Sequence, residues 1–352
     1  MLKVGIIGAG GYTGAELVRL IHSHPELTLV MCGAREKAGK RLGEVLPTVL
    51  GVPSLAELVL ESFEPEQAPE LAKRIDVAFL ALPHGASARA GKALFDAGVQ
   101  VVDLSADYRL KSASTYRDHY GEHPAPELLA SAVYGQPELH REELAGAKLI
   151  ASPGCHVTTA LLPLAPLLAS HLIETAGIVV DSKTGVSGGG RSPAPAYHYP
   201  ESAEGVRAYA VGGKHRHIPE LEQELSRVAG SEVRVTFTPV LVPMTRGILC
   251  TAYARARPET TEESCRQAAQ SLYQGASLIS VLGPGQLPDT LWVRGSARAM
   301  VGYSLDLRTR TVIAMGVIDN LTRGASAQAI QAFNVSRGFP ESLGLPELAL
   351  FP

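Results

Sequence analysis

Residues 2–17 read LKVGIIGAGGYTGAEL: an apolar run over Leu2–Ile7, the turn Gly8-Ala9-Gly10-Gly11-Tyr12-Thr13-Gly14, and then apolar residues at helical spacing. Strand, glycine turn and helix in immediate succession form the context in which a backbone cradles phosphate. Glycines permit a tight turn and close approach, and the free N–H groups and positive dipole end of the helix face an anion. Gly8 and Gly10 fit GxGxxG, but Thr13 stands at its last position, and Gly8, Gly11 and Gly14 fit GxxGxxG as well. The placement favours a dinucleotide site formed by Gly8, Gly10, Gly11, Tyr12, Thr13 and Gly14; a glycine turn without a ligand is the competing reading.

Working outward, strand-like runs at 2–7, 27–31, 76–82 and 99–104 alternate with helical patterns at 13–22 and 86–95. Such alternation predicts a parallel sheet with helices on its faces. From about Cys155 the order changes to one apolar helix followed by strand-like runs at 177–181, 233–242, 247–256, 299–307 and 311–318, with a last helical pattern at 322–337. The fold class expected is α/β: a Rossmann-type dinucleotide-binding domain over 1–154 and an α+β catalytic domain with a mixed or antiparallel sheet over 155–318. The segment 319–352 is expected to return its helix to the first domain.

Composition bounds the function. With 352 residues, 45% hydrophobic and 19% charged, the chain can bury two cores, which excludes a disordered protein. Lys and Arg total 32 against 35 Asp and Glu, a net charge of −3, so no basic excess is available for nucleic acid. The longest apolar stretch, 160–173, is interrupted by Pro163, Pro166 and His171 and is shorter than the ~20 residues that span a bilayer. The N-terminal apolar run is too short for a signal core, and the four cysteines contain no CxxC pair, so a soluble protein of a reducing cytoplasm, with no membrane partner, is expected.

Several side chains carry chemistry. After the second strand, Cys32-Gly33-Ala34-Arg35-Glu36-Lys37 offers two cations around one acid, which favours NADP over NAD through Arg35 or Lys37; a solvated charged loop is the alternative. Ser152-Pro153-Gly154-Cys155 precedes a long helical pattern, so Cys155 sits at a helix start, a position that favours thiolate; a structural thiol is the alternative. Cys32, Cys250 and Cys265 lie in apolar segments and read as inert. In His215-Arg216-His217-Ile218-Pro219-Glu220, the proline opens a helix and Glu220 can orient His217, as a general acid/base requires. Surface histidines and an HxH metal site are the alternatives, the second lacking another His/Cys cluster. Thr184-Gly185-Val186-Ser187-Gly188-Gly189-Gly190-Arg191 could close over a nicotinamide or an anion, or serve as a linker; no phosphate-binding GxxxxGK[ST] is present. A dinucleotide domain, a nucleophilic thiol and a histidine acid/base together suit an enzyme that passes a thioester to and from a hydride carrier.

The chain resembles the N-acetyl-γ-glutamyl-phosphate reductases, relatives of aspartate-semialdehyde dehydrogenase. The resemblance runs nearly end to end, through GAGGYTGAEL at 8–17, LALPHG at 80–85, DLSADYRL at 103–110, GEHP at 121–124, VYGQPEL at 133–139, SPGC at 152–155, TGVSGGGR at 184–191, KHRHIPE at 214–220, PMTRGI at 243–248 and DNLTRGA at 319–325. It implies NADPH-dependent reductive dephosphorylation of an acyl phosphate to an aldehyde, with release of inorganic phosphate, in arginine biosynthesis. Cys155 would be the nucleophile, and His217, held by Glu220, the acid/base. Ser187 and Gly188 would lie near the nicotinamide, with Asn320 in the cofactor site. Arg109, Arg191, His215, Arg216 and Arg246 would serve the carboxylate and phosphate of the substrate, since guanidinium binds such groups bidentately. The same resemblance implies a dimer or tetramer and no metal. Two departures stand out: His156-Val157 where the family often has Tyr-Pro or Asn-Ala, and Gly295-Ser296-Ala297 where Gly-Ser/Thr-Asn is common. A reductase of carrier-linked aminoadipyl phosphate in lysine synthesis and a non-catalytic NADP sensor are the other readings.

Overall fold

The computed structural model describes residues 1–351, and the chain divides into two compact units, 1–153 with 325–345, and 154–324 with the residues from 346 onward. The first unit is built on a six-stranded sheet of β1 (Leu2–Ile7), β2 (Leu27–Gly33), β3 (Val77–Leu80), β4 (Gln100–Asp103), β5 (Val133–Tyr134) and β6 (Leu149–Ala151), in the order β2-β1-β3-β4-β6-β5. Every pairing is parallel. All residues of β3 and β4 are buried, the pattern of a sheet covered on both faces. The helix Tyr12–Ser23 buries Leu17, Val18, Leu20 and Ile21, and Ala86–Asp96 buries Ala88, Ala90 and Leu94. Each fully buried Leu, Val or Ile contributes ~1.5–3 kcal/mol. Ile7 pairs with Gly33 and with Leu80, so Gly8, Ala34 and Ala81 leave the sheet together at its carboxyl edge.

The segment that returns to this unit is shorter than 319–352, because residues 319–324 and those from 346 group with the second unit. Its helix is also split. A π-helical turn, Thr322–Ser326, precedes the α-helix Ala327–Ser336, of which every residue is buried. The polar side chains on that helix find partners: Gln328 Nε2 donates to the Gly135 carbonyl at 2.7 Å, and Ser336 Oγ accepts from Gln100 Nε2 at 2.9 Å.

The second unit carries β7 (Ile178–Gly185), β8 (Arg207–Ala208), β9 (Val235–Val242), β10 (Ile248–Arg255), β11 (Ile279–Val281), β12 (Ala299–Asp306) and β13 (Thr311–Ile318), in the order β11-β12-β13-β10-β7-β9-β8. The sheet is mixed: β7 with β9 and β11 with β12 are parallel, the rest antiparallel. Burial alternates along β9 and β10, so one face is covered. Helix Cys155–Ala169 lies against β10 and β13, with every residue from His156 to Leu168 buried. Pro163 and Pro166 deprive the Thr159 and Leu162 carbonyls of helical donors. The Tyr273 hydroxyl donates to Leu162 O at 2.6 Å in compensation. Gly316 of β13 meets the other: a methyl there would lie 2.4 Å from Thr159 O, so only glycine lets strand and helix approach this closely.

Candidate active site

In the first unit, Gly8 takes a φ of +105°, and a methyl on it would stand 2.2 Å from the Ala81 carbonyl oxygen. A methyl on Gly14 would lie 2.3 Å from Gly8 O and 2.6 Å from Ala9 Cα. These two glycines are required by turn and packing. Gly11, the N-cap residue, has ordinary extended dihedrals, and a methyl on it would meet only Gly8 O within 4 Å, so open space lies before the helix start. Space, free N–H groups and dipole fit a pyrophosphate there. The GxxGxxG frame thus describes the turn better than GxGxxG, with Gly10 against the Lys37 side chain, whose Nζ would lie 3.5 Å from a methyl on that glycine. A cleft follows at the carboxyl edge of the sheet, lined by Ile7, Gly8, Gly33, Ala34, Phe63, Leu82 and Ala90, with Arg35, Glu64 and Arg89 contributing charge. Arg35 is exposed and pairs with Glu64 at 3.5 Å. Arg89 is absent from the expected site residues, since nothing in its helical segment marks it.

Arg109, also in this unit, is buried, and its guanidinium donates to the carbonyls of Ser152 (2.7 Å) and Leu104 (2.8 Å). It therefore fixes the backbone just ahead of Pro153-Gly154-Cys155. Nearby DLSADYRL residues form a buried network: Asp103 accepts from Ser87 and Ser105, and Asp107 from Tyr116 and the Gly85 and Ala88 N–H groups. Burial, reinforced by Asp107, pushes the Asp103 carboxyl up to about 6.

In the second unit, Cys155 is the first residue of its helix, where free N–H groups and the dipole favour an anionic sulfur. It is half-buried. The other three cysteines are buried, and burial pushes each thiol up to about 12. Gly154 and Gly324 flank Cys155. A methyl on Gly324, in the π-helical turn, would lie 2.7 Å from Cys155 Cβ, and one on Gly154 would lie 2.6 Å from His217 Nε2. Buried Glu220 accepts from the Gly154 N–H at 2.8 Å. Carboxylate and imidazole of the KHRHIPE stretch thus both meet the residue before Cys155.

Three imidazoles cluster here, with ring centroids 4.9 Å apart for His215 and His217, 5.5 Å for His156 and His215, and 5.8 Å for His156 and His217. Phe237 packs on His156 and His215. His215 Nδ1 accepts from the His217 N–H at 3.2 Å. Burial holds His156 down at about 3, with His215 adding to the effect, and burial and then Arg216 hold His215 at about 4. Both rings are neutral at physiological pH. Arg216 and Arg191 are exposed on their loops.

The glycine-rich stretch is less of a loop than its composition suggests. Thr184 and Gly185 belong to β7, and Val186–Gly189 forms a 3₁₀ turn whose N–H groups at Val186 and Ser187 donate to Met244 and Thr245 carbonyls. Asn320 joins it to the PMTRGI stretch, donating from Nδ2 to Ser187 Oγ (2.9 Å) and accepting from the Gly247 N–H (2.8 Å). A methyl on Gly188 would lie 3.9 Å from Asn320 Nδ2. Arg246 lies 3.5 Å from the buried carboxylate of Asp319, which also accepts from the Gly295, Leu321 and Thr322 N–H groups. Ala297, at the second departure, is buried, and its N–H donates to Pro346 O at 2.7 Å.

Sheet, glycine cradle and helix-borne cysteine define an oxidoreductase of the semialdehyde dehydrogenase class. Residues 3–147 match the semialdehyde dehydrogenase NAD-binding domain family, and 155–320 match the semialdehyde dehydrogenase dimerisation domain family. The chain belongs to the N-acetyl-gamma-glutamyl-phosphate reductase family. It is 48% identical over 352 residues to the reductase of that name from Geotalea daltonii and 47% identical over 353 residues to that from Geobacter sulfurreducens, with 100% of each chain covered. Among solved structures, aspartate semialdehyde dehydrogenase with NADP from Candida albicans aligns with a TM-score of 0.69 at 19% identity, covering 96% of this chain and 99% of that one. The Vibrio cholerae aspartate semialdehyde dehydrogenase II aligns with a TM-score of 0.69 at 16% identity, covering 95% and 98%. Among the described residues no helix is long and apolar enough to cross a membrane.

Proposed function

We propose that the chain reduces N-acetyl-L-glutamyl 5-phosphate to N-acetyl-L-glutamate 5-semialdehyde with NADPH, as a cytoplasmic homo-oligomer in arginine biosynthesis. The observation that carries this reading is the convergence of Cys155, His217 and Glu220 on Gly154, in a chain almost half identical to reductases of that name. The Cys155 sulfur attacks the acyl carbon, a C–S bond forms, and the C–O bond to phosphate breaks with release of inorganic phosphate. The resulting thioester stays on Cys155. NADPH, when bound at the Gly8–Gly14 turn, supplies the hydride that reduces it. His217, carrying the proton it took from the Cys155 thiol, gives it to the acyl oxygen as the thiohemiacetal forms and takes it back as the C–S bond breaks, so that aldehyde leaves and the Cys155 thiolate is restored.

Glu220 holds the Gly154 N–H, and with it the backbone on which His217 rests. Arg246, steadied by Asp319, and exposed Arg191 and Arg216 are the candidates for substrate carboxylate and phosphate. NADP is favoured over NAD because no acid stands at the end of β2, where Gly33 and Ala34 lie, while Arg35 and Arg89 line the cleft and Lys37 lies beside Gly10 of the turn.

The test follows nicotinamide absorbance in reverse, with N-acetylglutamate semialdehyde, NADP and phosphate. Phosphate-dependent NADP reduction, absent in Cys155→Ala while NADP binding persists, is the expected result. Activity only with an aminoadipate semialdehyde on its carrier moves the chain to lysine synthesis, and silence with every aldehyde makes it a sensor.

A further inference from the structure

His156, a departure from the family pattern, occupies a fully enclosed position with two partners. Its Nδ1 lies 2.6 Å from Ser182 Oγ on β7, and its Nε2 lies 3.0 Å from the Tyr209 hydroxyl. The direction of this chain follows from counting protons. The Ser182 hydroxyl is completely buried, and the His156 ring is its one hydrogen-bond partner among the described residues. A buried hydroxyl that only accepted would leave its own proton unsatisfied, at a cost of ~1–3 kcal/mol. Ser182 therefore donates to Nδ1. A neutral imidazole that accepts at Nδ1 carries its proton on Nε2, so Nε2–H donates to the Tyr209 oxygen. The Tyr209 proton is then left over. No other side chain or carbonyl among the described residues takes it, and the Tyr209 hydroxyl stands 3.0 Å from the ring of the residue that follows Cys155, within the cluster of His156, His215 and His217.

Tyr209 is also fixed in place. Its N–H donates to Pro239 O at 3.1 Å, its ring packs edge-on against His215 at 5.6 Å, and the next residue, Ala210, takes a left-handed φ of 45°. Such a conformation in a non-glycine residue costs ~1–2 kcal/mol and persists where surrounding contacts hold it.

We propose that Ser182 and His156 form a one-way hydrogen-bond chain that presents the Tyr209 hydroxyl as a donor to the oxygen of the acyl group bound on Cys155. Tyr209 is the residue that touches the reacting group; Ser182 and His156 are positioning residues. A donor aimed at an oxygen that gains negative charge on hydride addition lowers that barrier without transferring its own proton. The inference rests on the acyl-transfer reading of Cys155, but its hydrogen-bond direction does not.

That direction is tested first, on the substrate-free wild-type protein, by ¹⁵N NMR of labelled histidines, with the His156 resonances assigned by their loss in His156→Gln. A protonated Nε2 and bare Nδ1, unchanged from pH 5 to 8, is expected; a protonated Nδ1 overturns the proposal whatever reaction the chain performs. Kinetics then test its use. Tyr209→Phe and Ser182→Ala should each lower kcat about 10- to 100-fold with KM within a few-fold, in proteins whose NADP binding and melting show them folded. Ser182→Ala added to Tyr209→Phe should cost nothing further, because the serine acts only through the phenol. An unchanged kcat in Tyr209→Phe, or losses that multiply in the double variant, would falsify the role.

Discussion

A methyl group is enough to separate the glycines that shape the dinucleotide turn from the one that leaves room for a ligand. On Gly14 it would press on backbone atoms, Gly8 O at 2.3 Å and Ala9 Cα at 2.6 Å, which cannot swing aside as a side-chain tip can. Gly14→Ala should therefore push the helix Tyr12–Ser23 off the sheet edge and lower stability by ~1–3 kcal/mol, the usual cost of overpacking. On Gly11 the methyl meets only Gly8 O at 3.9 Å, and the dihedrals there are open to alanine. Gly11→Ala should melt within a degree or two of wild type and yet bind NADP about tenfold or more weakly, since the methyl fills the space before the helix N–H groups. Thermal melts paired with fluorescence titration of NADPH decide this. Equal losses of stability in both variants would remove the ligand argument for Gly11.

Among the elements, helix Cys155–Ala169 begins at Cys155, and two prolines inside it make its backbone dependent on outside donors. Pro166 has no N–H for Leu162 O, and the Tyr273 hydroxyl fills that place from the end of helix Glu262–Leu272. Tyr273→Phe removes the donor and leaves a buried carbonyl unsatisfied, so a loss of ~1–3 kcal/mol in urea unfolding is expected. Turnover of the folded fraction should hold, because Leu162 lies two helical turns from Cys155; unaltered stability would show that the carbonyl finds another donor. This helix is legible from its apolar composition, and the strands of continuous Val, Ile and Leu are legible for the same reason. β7 is legible only in part: Ser182 and Thr184 face inward among buried neighbours, so the polar half of the strand reads as a loop. The four-residue helices Leu42–Val45, Pro53–Ala56 and Ala68–Leu71 are too short for any periodicity to register. Cys155, His217 and Glu220 carry local signals in helix starts and spacing. Tyr209, Ser182 and Phe237 carry none, because their roles arise where β7, β9 and the segment after β8 meet.

At the scale of the whole molecule, buried titratable groups on two units couple folding to pH with opposite signs. His156 is held from its ordinary 6.5 to about 3, so between those values the unfolded chain binds a proton that the native ring refuses. Stability contributed by the neutral ring is present above 6.5 and falls as pH drops below it, by ~2 kcal/mol at pH 5; His215, more accessible and held at about 4, adds in the same direction. Asp103 runs the other way. Raised from 3.8 to about 6 by burial and by Asp107, its carboxyl binds a proton in the native state that the unfolded chain has released. It stabilises the fold at low pH, and that contribution is lost as pH rises through 6, a change of ~1–2 kcal/mol between pH 5 and 7.5. The histidines should outweigh it, so the native protein loses stability on acidification from pH 7.5 to 5. Single substitutions separate the two effects by slope, whatever each does to absolute stability. His156→Gln should flatten the decline in unfolding free energy over this range, and Asp103→Asn should steepen it. Denaturant unfolding at pH 5, 6, 7 and 7.5 measures both slopes, and a His156→Gln slope parallel to wild type would mean that the native ring already takes up its proton near pH 6.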